Sequence, residues 1–308
     1  RPSHGLALIR NTNQHRFTRM KDLNYQLKQL CRHNRQGSYA TRSNREHQLT
    51  QIADQLHGLG FRRMTSHSLK PKHVEALVKL WQAQNLSPGT IKNRMSNLRW
   101  WARVVNKQNV IARSNDFYGI PDRYYGSTGN DKARTLDQDK LDLIKDPHVR
   151  MSLQLQAAFG LRREEALKIK PRQADEGQPL RLQASWTKGG KERTIPIRTE
   201  QQRQLLEQAK VLAGSHSLIP QNRQYIQQVR IYERQTANAG LSRMHGLRHT
   251  YAQNRYQELT GWEAPNRGGP TSQQLAIHQK ALDQQARLQI SRELGHEREQ
   301  ITAVYLGR

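Results

Sequence analysis

Apolar residues recur at intervals of three and four over much of the first 105 residues, a spacing that places them on one face of an α-helix. The second stripe follows Ser43 and Glu46, which have the spacing of a capping box. The fourth follows Ser87 and Pro88, a suitable N-cap and first helical residue. The pattern therefore predicts four helices. Their stripes lie within residues 23–31, 49–56, 74–81 and 91–105.

This periodicity stops between about residues 112 and 135, where Gly, Pro, Asp and Asn accumulate. We predict a linker at residues 116–134, between one domain at 1–115 and a second at 135–308. The second domain is mostly helical, with two short alternating runs at 180–186 and 193–197 that predict a β-hairpin with a flexible basic tip at 187–191.

The charge of the chain narrows its partners. Its 308 residues carry 51 Lys and Arg against 25 Asp and Glu, a net charge of +26. Such an excess indicates a polyanion, above all nucleic acid, because cations docked on phosphates release condensed counterions. A membrane surface is the weaker alternative, since no run of 18 apolar residues occurs. The single cysteine, Cys31, cannot pair within the chain, which excludes a disulfide scaffold.

The basic excess is concentrated near the N-terminus, where residues 1–134 hold 24 Lys and Arg against 7 Asp and Glu, a net charge of +17. The polar face of the fourth predicted helix is a candidate DNA-binding surface, and so is the hairpin. A solvated helix face is the alternative interpretation. The candidate DNA-binding residues are Lys92, Arg94, Arg99 and Arg103 on the helix, and Lys191 and Arg193 on the hairpin.

Four short clusters in the second domain carry side chains suited to chemistry on an anion. In chain order they are Arg162 in GLRREEAL, Lys188 at the hairpin tip, His245 and Arg248 in HGLRHT, and His296 in LGH followed by Tyr305. His245 and His249 share a helical face and could ligate zinc. The glutamate of an HExxH motif is missing, however, and the neighbouring Arg248 favours an anion. We predict no metal site.

Taken together, the clusters resemble the tyrosine site-specific recombinases, the phage integrase family. The resemblance covers nearly the whole chain. It implies a mainly α fold with a small β-sheet or hairpin, in which an N-terminal helical, SAM-like core-binding domain precedes an α+β catalytic domain. The matching segments are AFGLRREE at 158–165, TKGGKERTIPI at 187–197, HGLRHT at 245–250, LGH at 294–296, Tyr305, and LSPGTI at 86–91.

The resemblance also implies roles for these residues. Arg162 and Arg248 would bind the scissile phosphate with help from His296, and Glu165 and His249 would support the site. His245 would accept the proton of the nucleophile Tyr305, and Lys188 would protonate the leaving 5′-oxygen. The chemistry suits these side chains, because guanidinium groups bind phosphate oxygens bidentately and the tyrosine hydroxyl needs an acceptor for its proton. No cofactor is expected.

The implied activity is integration, excision or resolution of DNA through a 3′-phosphotyrosyl intermediate. The implied partner is duplex DNA, bound by a homo-tetramer that is a monomer or weak oligomer when free, with accessory DNA-bending proteins possible. A bacterial cytoplasmic protein is expected. Two alternatives stay open: a silent architectural DNA-binding protein and a type IB topoisomerase-like enzyme.

One departure from compact family members is the gap of 48 residues between Arg248 and His296. It contains a Gly- and Pro-rich stretch at 261–270 and a predicted helix at 273–288. This insertion is interpreted either as a subunit-contact element or as elaboration of the fold.

Overall fold

A computed structural model describes residues 22–123 and 131–308. The chain divides into two compact units, Arg1–Arg123 and Tyr124–Arg308. Residues 124–130 of the predicted linker and residues 1–21 of the predicted N-terminal domain lie outside the described residues. None of the described helices is both long and apolar enough to span a membrane.

The described residues of the first unit form four α-helices whose apolar stripes face a shared core. Their bounds are α1 Asp22–His33, α2 Tyr39–Gly58, α3 Pro71–Ala83 and α4 Pro88–Val104. The indole of Trp81 donates to Gln55 Oε1 at 2.8 Å, and that of Trp101 donates to the Ser66 carbonyl at 2.7 Å. Both rings are fully buried, so these two bonds satisfy the polar atoms that burial takes from water. Cys31 lies in the same core.

The N-caps of two helices can be compared with the sequence. Ser87 caps α4 as predicted, and its Oγ accepts from the Thr90 amide at 3.2 Å. The prediction for α2 is wrong, because the helix begins at Tyr39 and its N-cap is Ser38, whose Oγ accepts from the Thr41 amide at 3.2 Å. Ser43 therefore lies inside the helix, where its neighbours continue the intrahelical hydrogen bonds.

Both ends of the predicted linker are folded. Ile120 is buried in the core of the first unit, and the Tyr118 carbonyl accepts from Gln82 at 3.1 Å. In the second unit, Arg134 donates its amide to the Gly246 carbonyl at 3.0 Å and accepts from Thr250 Oγ1 at 2.6 Å. These segments lack helical periodicity because they are irregular in conformation. Tertiary contacts with neighbouring helices order them.

Over residues 131–308, the second unit is mainly helical around one two-stranded sheet. Its elements are α5 Gln138–Asp142, α6 Pro147–Phe159, α7 Arg163–Lys168, α8 Pro171–Ala174, β1 Pro179–Leu182, β2 Arg193–Pro196, α9 Glu200–Ala213, α10 Tyr225–Asn238, α11 Gly246–Thr260, α12 Ile277–Leu294 and α13 Glu299–Leu306. The buried faces of α6, α11 and α12 share its largest apolar cluster with β1, β2 and α13. This architecture confirms the predicted fold class.

The sheet is smaller than predicted. Strands β1 and β2 are antiparallel, with Leu180 opposite Ile195 and Leu182 opposite Arg193. The predicted first strand continued to residue 186, but Ala184–Trp186 is a 3₁₀ turn that buries the Trp186 ring. The ten residues between the strands thus form a long connection, and the basic tip lies within it.

The predicted helix at 273–288 is observed as α12, displaced toward the C-terminus. It begins at Ile277, after the Ala276 amide donates to Gln279 Oε1 at 2.9 Å. It continues to Leu294 because Ile290 and Leu294 extend its buried face by one more turn. Gly295, at φ 66°, ends the helix in the left-handed conformation that glycine adopts readily.

Candidate active site

Arg162 is held at a sharp turn between α6 and α7. Gly160 ends α6 at φ 64°, and a Cβ on it would lie 2.6 Å from Tyr251 Cδ1. Arg162 is the N-cap of α7, and its amide donates to Glu165 Oε2 at 2.7 Å. Its Nη1 donates to Glu165 Oε1 at 2.8 Å. The turn therefore presents the Arg162 guanidinium, with a side chain 23% exposed, beside a fully buried carboxylate.

Glu165 also receives two hydrogen bonds from Arg193, at 2.7 Å from Nη1 to Oε1 and at 2.6 Å from Nη2 to Oε2. Burial by itself would raise the pKa of the Glu165 carboxyl. The hydrogen bonds and positive charge of Arg193, with the charges of Arg248 and Arg162, more than offset this and lower that pKa to about 2. The carboxylate is therefore ionised at neutral pH and orients two guanidinium groups.

Arg193 does not lie where a DNA-contacting residue is expected. Its side chain is 5% exposed, and its Nε donates to the Glu293 carbonyl at 2.9 Å. The alternation along β2 explains this position, because Arg193 and Ile195 share the buried face of the strand. The structure thus joins Arg193 to the Glu165 carboxylate inside the unit, instead of leaving it on the basic hairpin surface.

Arg248 lies on α11 and is fully buried. Its Nη1 donates to the Gly160 carbonyl at 2.6 Å, and its Nη2 donates to the Leu294 carbonyl. Burial lowers the pKa of this guanidinium to about 10, with a further contribution from the charge of Arg162. The group stays protonated at neutral pH. Two backbone carbonyls fix its plane, so three of its five N–H bonds stay available to other acceptors.

The Tyr305 hydroxyl lies between two of the predicted catalytic side chains. It is 3.1 Å from His245 Nε2 and 3.4 Å from Arg248 Nε. Tyr305 is on α13 and is 6% exposed, whereas His245 is an exposed residue. Partial desolvation lowers the pKa of His245, and the charges of Arg248 and Arg162 lower it further. The imidazole is therefore neutral at pH 7 and can accept a hydrogen bond.

Two more histidines pack against the Tyr305 ring. The ring centroids are 4.3 Å apart for His249 and 5.0 Å apart for His296, and the histidine rings are tilted by 33° and 30° from the plane of the tyrosine ring. Burial, together with the charge of the neighbouring His245, lowers the pKa of His249 to about 4. Burial and the charge of Arg248 lower the pKa of His296 to about 3. Both rings are neutral at pH 7, and both pack against the tyrosine ring.

Lys188 lies on the exposed connection between β1 and β2, next to Gly189 and Gly190. It shares the lining of a cavity of about 600 Å³ with Arg162 and His245. This cavity opens beside the buried cluster around Tyr305. The structure thus brings all six predicted catalytic residues to one region of the second unit. Side-chain contacts join His245, Arg248, His296 and Tyr305, and Arg162 and Lys188 line the cavity next to His245.

The other predicted DNA-binding residues have varied surroundings. Lys92 pairs with Asp122 at 2.6 Å, the Arg94 guanidinium lies 5.4 Å from the Trp81 ring centroid, and Arg99 donates to the Ala112 carbonyl at 3.0 Å. Arg103 is exposed. On the hairpin, Lys191 pairs with Glu297 at 2.6 Å, and both side chains are largely exposed. Three of the four α4 cations are thus engaged within their own unit.

A basic cleft that the sequence analysis missed lies between α1 and α2. It has a volume of about 710 Å³, and both polar and charged side chains line it. Its four cations are Lys28, Arg32, Arg35 and Arg42. The signal in the sequence was the density of arginines between residues 32 and 45, across the end of one predicted helix and the start of the next.

Thr302 is another missed residue near the site. It is fully buried one turn before Tyr305, and its Oγ1 is 3.0 Å from His296 Nδ1. Nothing in the local sequence separates it from an ordinary core threonine.

Among the described residues, no group of three or more His, Cys, Asp or Glu side chains is arranged to hold a metal ion.

Comparison with known families finds two matches in succession. Residues 20–111 match a family described as "Phage integrase, N-terminal", and residues 127–254 match one described as "Integrase". The first match lies wholly within the first unit, and the second lies wholly within the second unit. No curated protein sequence is a significant match to the chain.

Several solved structures share the fold. A lambda integrase dimer bound to a COC′ core site has 16% sequence identity and a TM-score of 0.55, over 92% of this chain and 76% of that one. A lambda integrase tetramer bound to a Holliday junction has 14% identity and a TM-score of 0.54, over 91% and 76%. The Tn1549 transposon integrase in complex with circular intermediate DNA has 15% identity and a TM-score of 0.53, over 94% and 96%.

Proposed function

Since the chain belongs to the phage integrase family of tyrosine recombinases, we propose that it cleaves and rejoins duplex DNA through a covalent bond between Tyr305 and a 3′-phosphate. The observation that supports this most strongly is the position of the Tyr305 hydroxyl, within 3.1 Å of His245 and 3.4 Å of Arg248. A nucleophile, a proton acceptor and a phosphate-binding cation are thereby within reach of one another.

The phosphate would be bound by Arg162 and Arg248. Three guanidinium groups surround the single carboxylate of Glu165, so the cluster carries an excess of two positive charges. Charge develops on the non-bridging oxygens as the nucleophile attacks, and fixed cations in a largely dry site stabilise it strongly. The carbonyls of Gly160 and Leu294 hold Arg248 in place before DNA binds, so little reorganisation is needed.

His296 would donate one further hydrogen bond to the phosphate. Because its pKa is near 3, the ring carries a single proton at pH 7, and only one nitrogen can donate. Nδ1 lies 3.0 Å from Thr302 Oγ1, and a hydroxyl that donates there leaves the proton on Nε2. Nε2 lies 3.4 Å from Arg248 Nη2, so in this tautomer both groups would donate to the phosphate and not to each other.

Cleavage requires two proton transfers. The Tyr305 hydroxyl passes its proton to His245 as its oxygen bonds to phosphorus. The bond from phosphorus to the 5′-oxygen breaks, and Lys188 gives that oxygen a proton to form a free 5′-hydroxyl. The exposed position of Lys188 on the β1–β2 connection allows it to approach the leaving group from the cavity side. Reversal of these steps with a second 5′-hydroxyl rejoins the strands without an external energy source.

The first unit would grip the duplex, with the basic cleft between α1 and α2 as the strongest concentration of cations and Arg103 as a further contact. Related integrases are seen on DNA as a dimer and as a tetramer. We propose that this chain likewise exchanges strands as a tetramer, in the integration or excision of a mobile element.

The test is covalent capture. The full chain is incubated with nicked duplexes that carry candidate element ends, so that cleavage releases a short strand and traps the intermediate. We expect an adduct that resists denaturant with the wild-type chain and none with Tyr305→Phe, while both bind the duplex equally. An adduct that persists in Tyr305→Phe would refute the assignment of the nucleophile.

A further inference from the structure

The C-terminal end of α13 is held by three side chains from other elements, which we call the carbonyl clamp: Gln253 on α11, Asn266 in the turn Pro265–Arg267, and Arg287 on α12. Gln253 Nε2 donates to the Tyr305 carbonyl at 3.0 Å, and Asn266 Nδ2 donates to the same oxygen at 3.3 Å. Arg287 Nη1 donates to the Gly307 carbonyl at 2.9 Å.

These bonds address a physical weakness of the helix. The last four carbonyls of an α-helix lack intrahelical partners, and the C-terminal end carries partial negative charge. Helix α13 has only eight residues, too few to be stable by itself. Donors on the Tyr305 and Gly307 carbonyls, one of them a cation, therefore stabilise it at the very residue that carries the nucleophile.

Arg287 is itself firmly held. Its side chain is 6% exposed, and its Nε donates to Asp283 Oδ1 at 2.8 Å. The same Oδ1 accepts from the Tyr256 hydroxyl at 2.5 Å, which ties α12 to α11. The guanidinium lies over the Tyr256 ring at 5.5 Å from its centroid. Burial of a guanidinium group costs desolvation free energy, which its hydrogen bonds must offset. We take this cost as an indication that the bond to Gly307 has a specific use.

All three members of the clamp lie in the segment between Arg248 and His296 that is long for the family. We infer that this segment positions the nucleophile: Asn266 and Arg287, with Gln253, hold Tyr305 beside the phosphate-binding arginines of its own subunit. The inference rests on the proposed function, and it assigns the segment a role in the reaction. Both residues are positioning residues, since neither contacts the reacting atoms.

The most direct variant is Asn266→Asp, which keeps the shape of the side chain and replaces its donor by a carboxylate facing the Tyr305 carbonyl. At saturating nicked duplex, we expect adduct formation to slow about tenfold with unchanged DNA affinity. Arg287→Met should slow it more than tenfold, and Arg287→Lys should recover most of the rate. Arg267→Ala is the matched control, because Arg267 lies in the same turn but donates to Asn254 at 2.7 Å.

Subunit mixing provides a readout that a loss of stability would not produce. A chain with Arg162→Ala can supply a tyrosine, and a chain with Tyr305→Phe can supply a phosphate-binding site. We expect the mixture to form no adduct while the clamp is intact, and to form one on the first chain when that chain also carries Asn266→Asp. Equal adduct from both mixtures would overturn the inference.

Hydrogen exchange separates this inference from the proposed function. Amides of 299–307 should exchange about tenfold faster in Asn266→Asp than in Arg267→Ala. If the wild-type chain forms an adduct and Asn266→Asp and Arg287→Met cleave as fast as Arg267→Ala, the clamp inference fails and the proposed function stands. If the wild-type chain forms no adduct, the proposed function fails. If the amides of 299–307 also exchange equally fast in Asn266→Asp and Arg267→Ala, the clamp inference fails as well.

Discussion

Replacement of Glu165 by glutamine tests the electrostatic centre of the candidate site. Four N–H donors converge on the two carboxylate oxygens, two on each: the amide and Nη1 of Arg162, and Nη1 and Nη2 of Arg193. An amide keeps one oxygen and turns the other into a donor. Glu165→Gln therefore sets two N–H donors against an NH₂ group and leaves the buried Arg193 without a counter-charge.

The magnitude follows from the pKa of the Glu165 carboxyl, which falls from 4.5 to about 2 in the folded chain. At about 1.4 kcal/mol for each factor of ten, the ionised carboxylate contributes about 3 kcal/mol to the free energy of unfolding. The usual cost of removing one partner from a buried ion pair, about 3–5 kcal/mol, agrees with this figure. We expect Glu165→Gln to lose that amount at pH 7.

The assay is urea unfolding of the full chain, followed by hydrogen exchange in peptides from residues 147–168 and 179–196. Glu164→Gln is the matched control, because its pairing with Lys168 is partly exposed and contributes less than about 1 kcal/mol. Since the folded pKa of Glu165 is depressed, its contribution is complete above about pH 4.5. It disappears as the pH falls toward 2, so wild type and Glu165→Gln should converge there.

Two results would refute this reasoning. If Glu165→Gln unfolds at the same urea concentration as Glu164→Gln, the carboxylate does not stabilise the cluster. If the difference between wild type and Glu165→Gln stays constant from pH 7 to pH 3, the stabilisation does not depend on the carboxylate charge.

Three further predictions concern the chemistry and the turn. Lys188→Ala should slow cleavage at least a hundredfold. A duplex with sulfur in place of the bridging 5′-oxygen should restore the rate, because a thiolate leaves without a proton. Equal slowing on both duplexes would contradict the role of Lys188. At subsaturating DNA, the cleavage rate should fall on acidification with a midpoint below pH 6.5, because the pKa of His245 is lowered and the base must be neutral. A midpoint above pH 6.5 would exclude His245 as the base. Gly160→Ala should lower the free energy of unfolding in urea by about 1–3 kcal/mol more than Gly177→Ala does. Both glycines have positive φ, but only at Gly160 would a Cβ lie 2.6 Å from the Tyr251 ring. Equal losses would show that the ring moves aside.

Much of the fold was predictable because local periodicity encodes it. The stripes behind α1, α3 and α4 repeat every three or four residues, and a helix needs no distant information to place them on one face. The start of α2 was misplaced because Ser38 and Ser43 are both acceptable N-caps. The choice between them depends on where the preceding chain packs, which local spacing does not contain.

The sequence by itself determined the candidate catalytic residue types and their order, since short motifs contain Arg162, Lys188, His245 and Tyr305. Tertiary structure decided what each cation faces. Arg193 and Lys191 both belong to the basic hairpin, yet one bonds a carboxylate 28 residues away inside the unit and the other pairs at the surface. Such contacts join positions far apart in the chain, and their geometry depends on which helices and strands pack together. Charge and spacing alone therefore identify the cations, and only the packed structure separates those that are buried in ion pairs from those that are exposed to solvent.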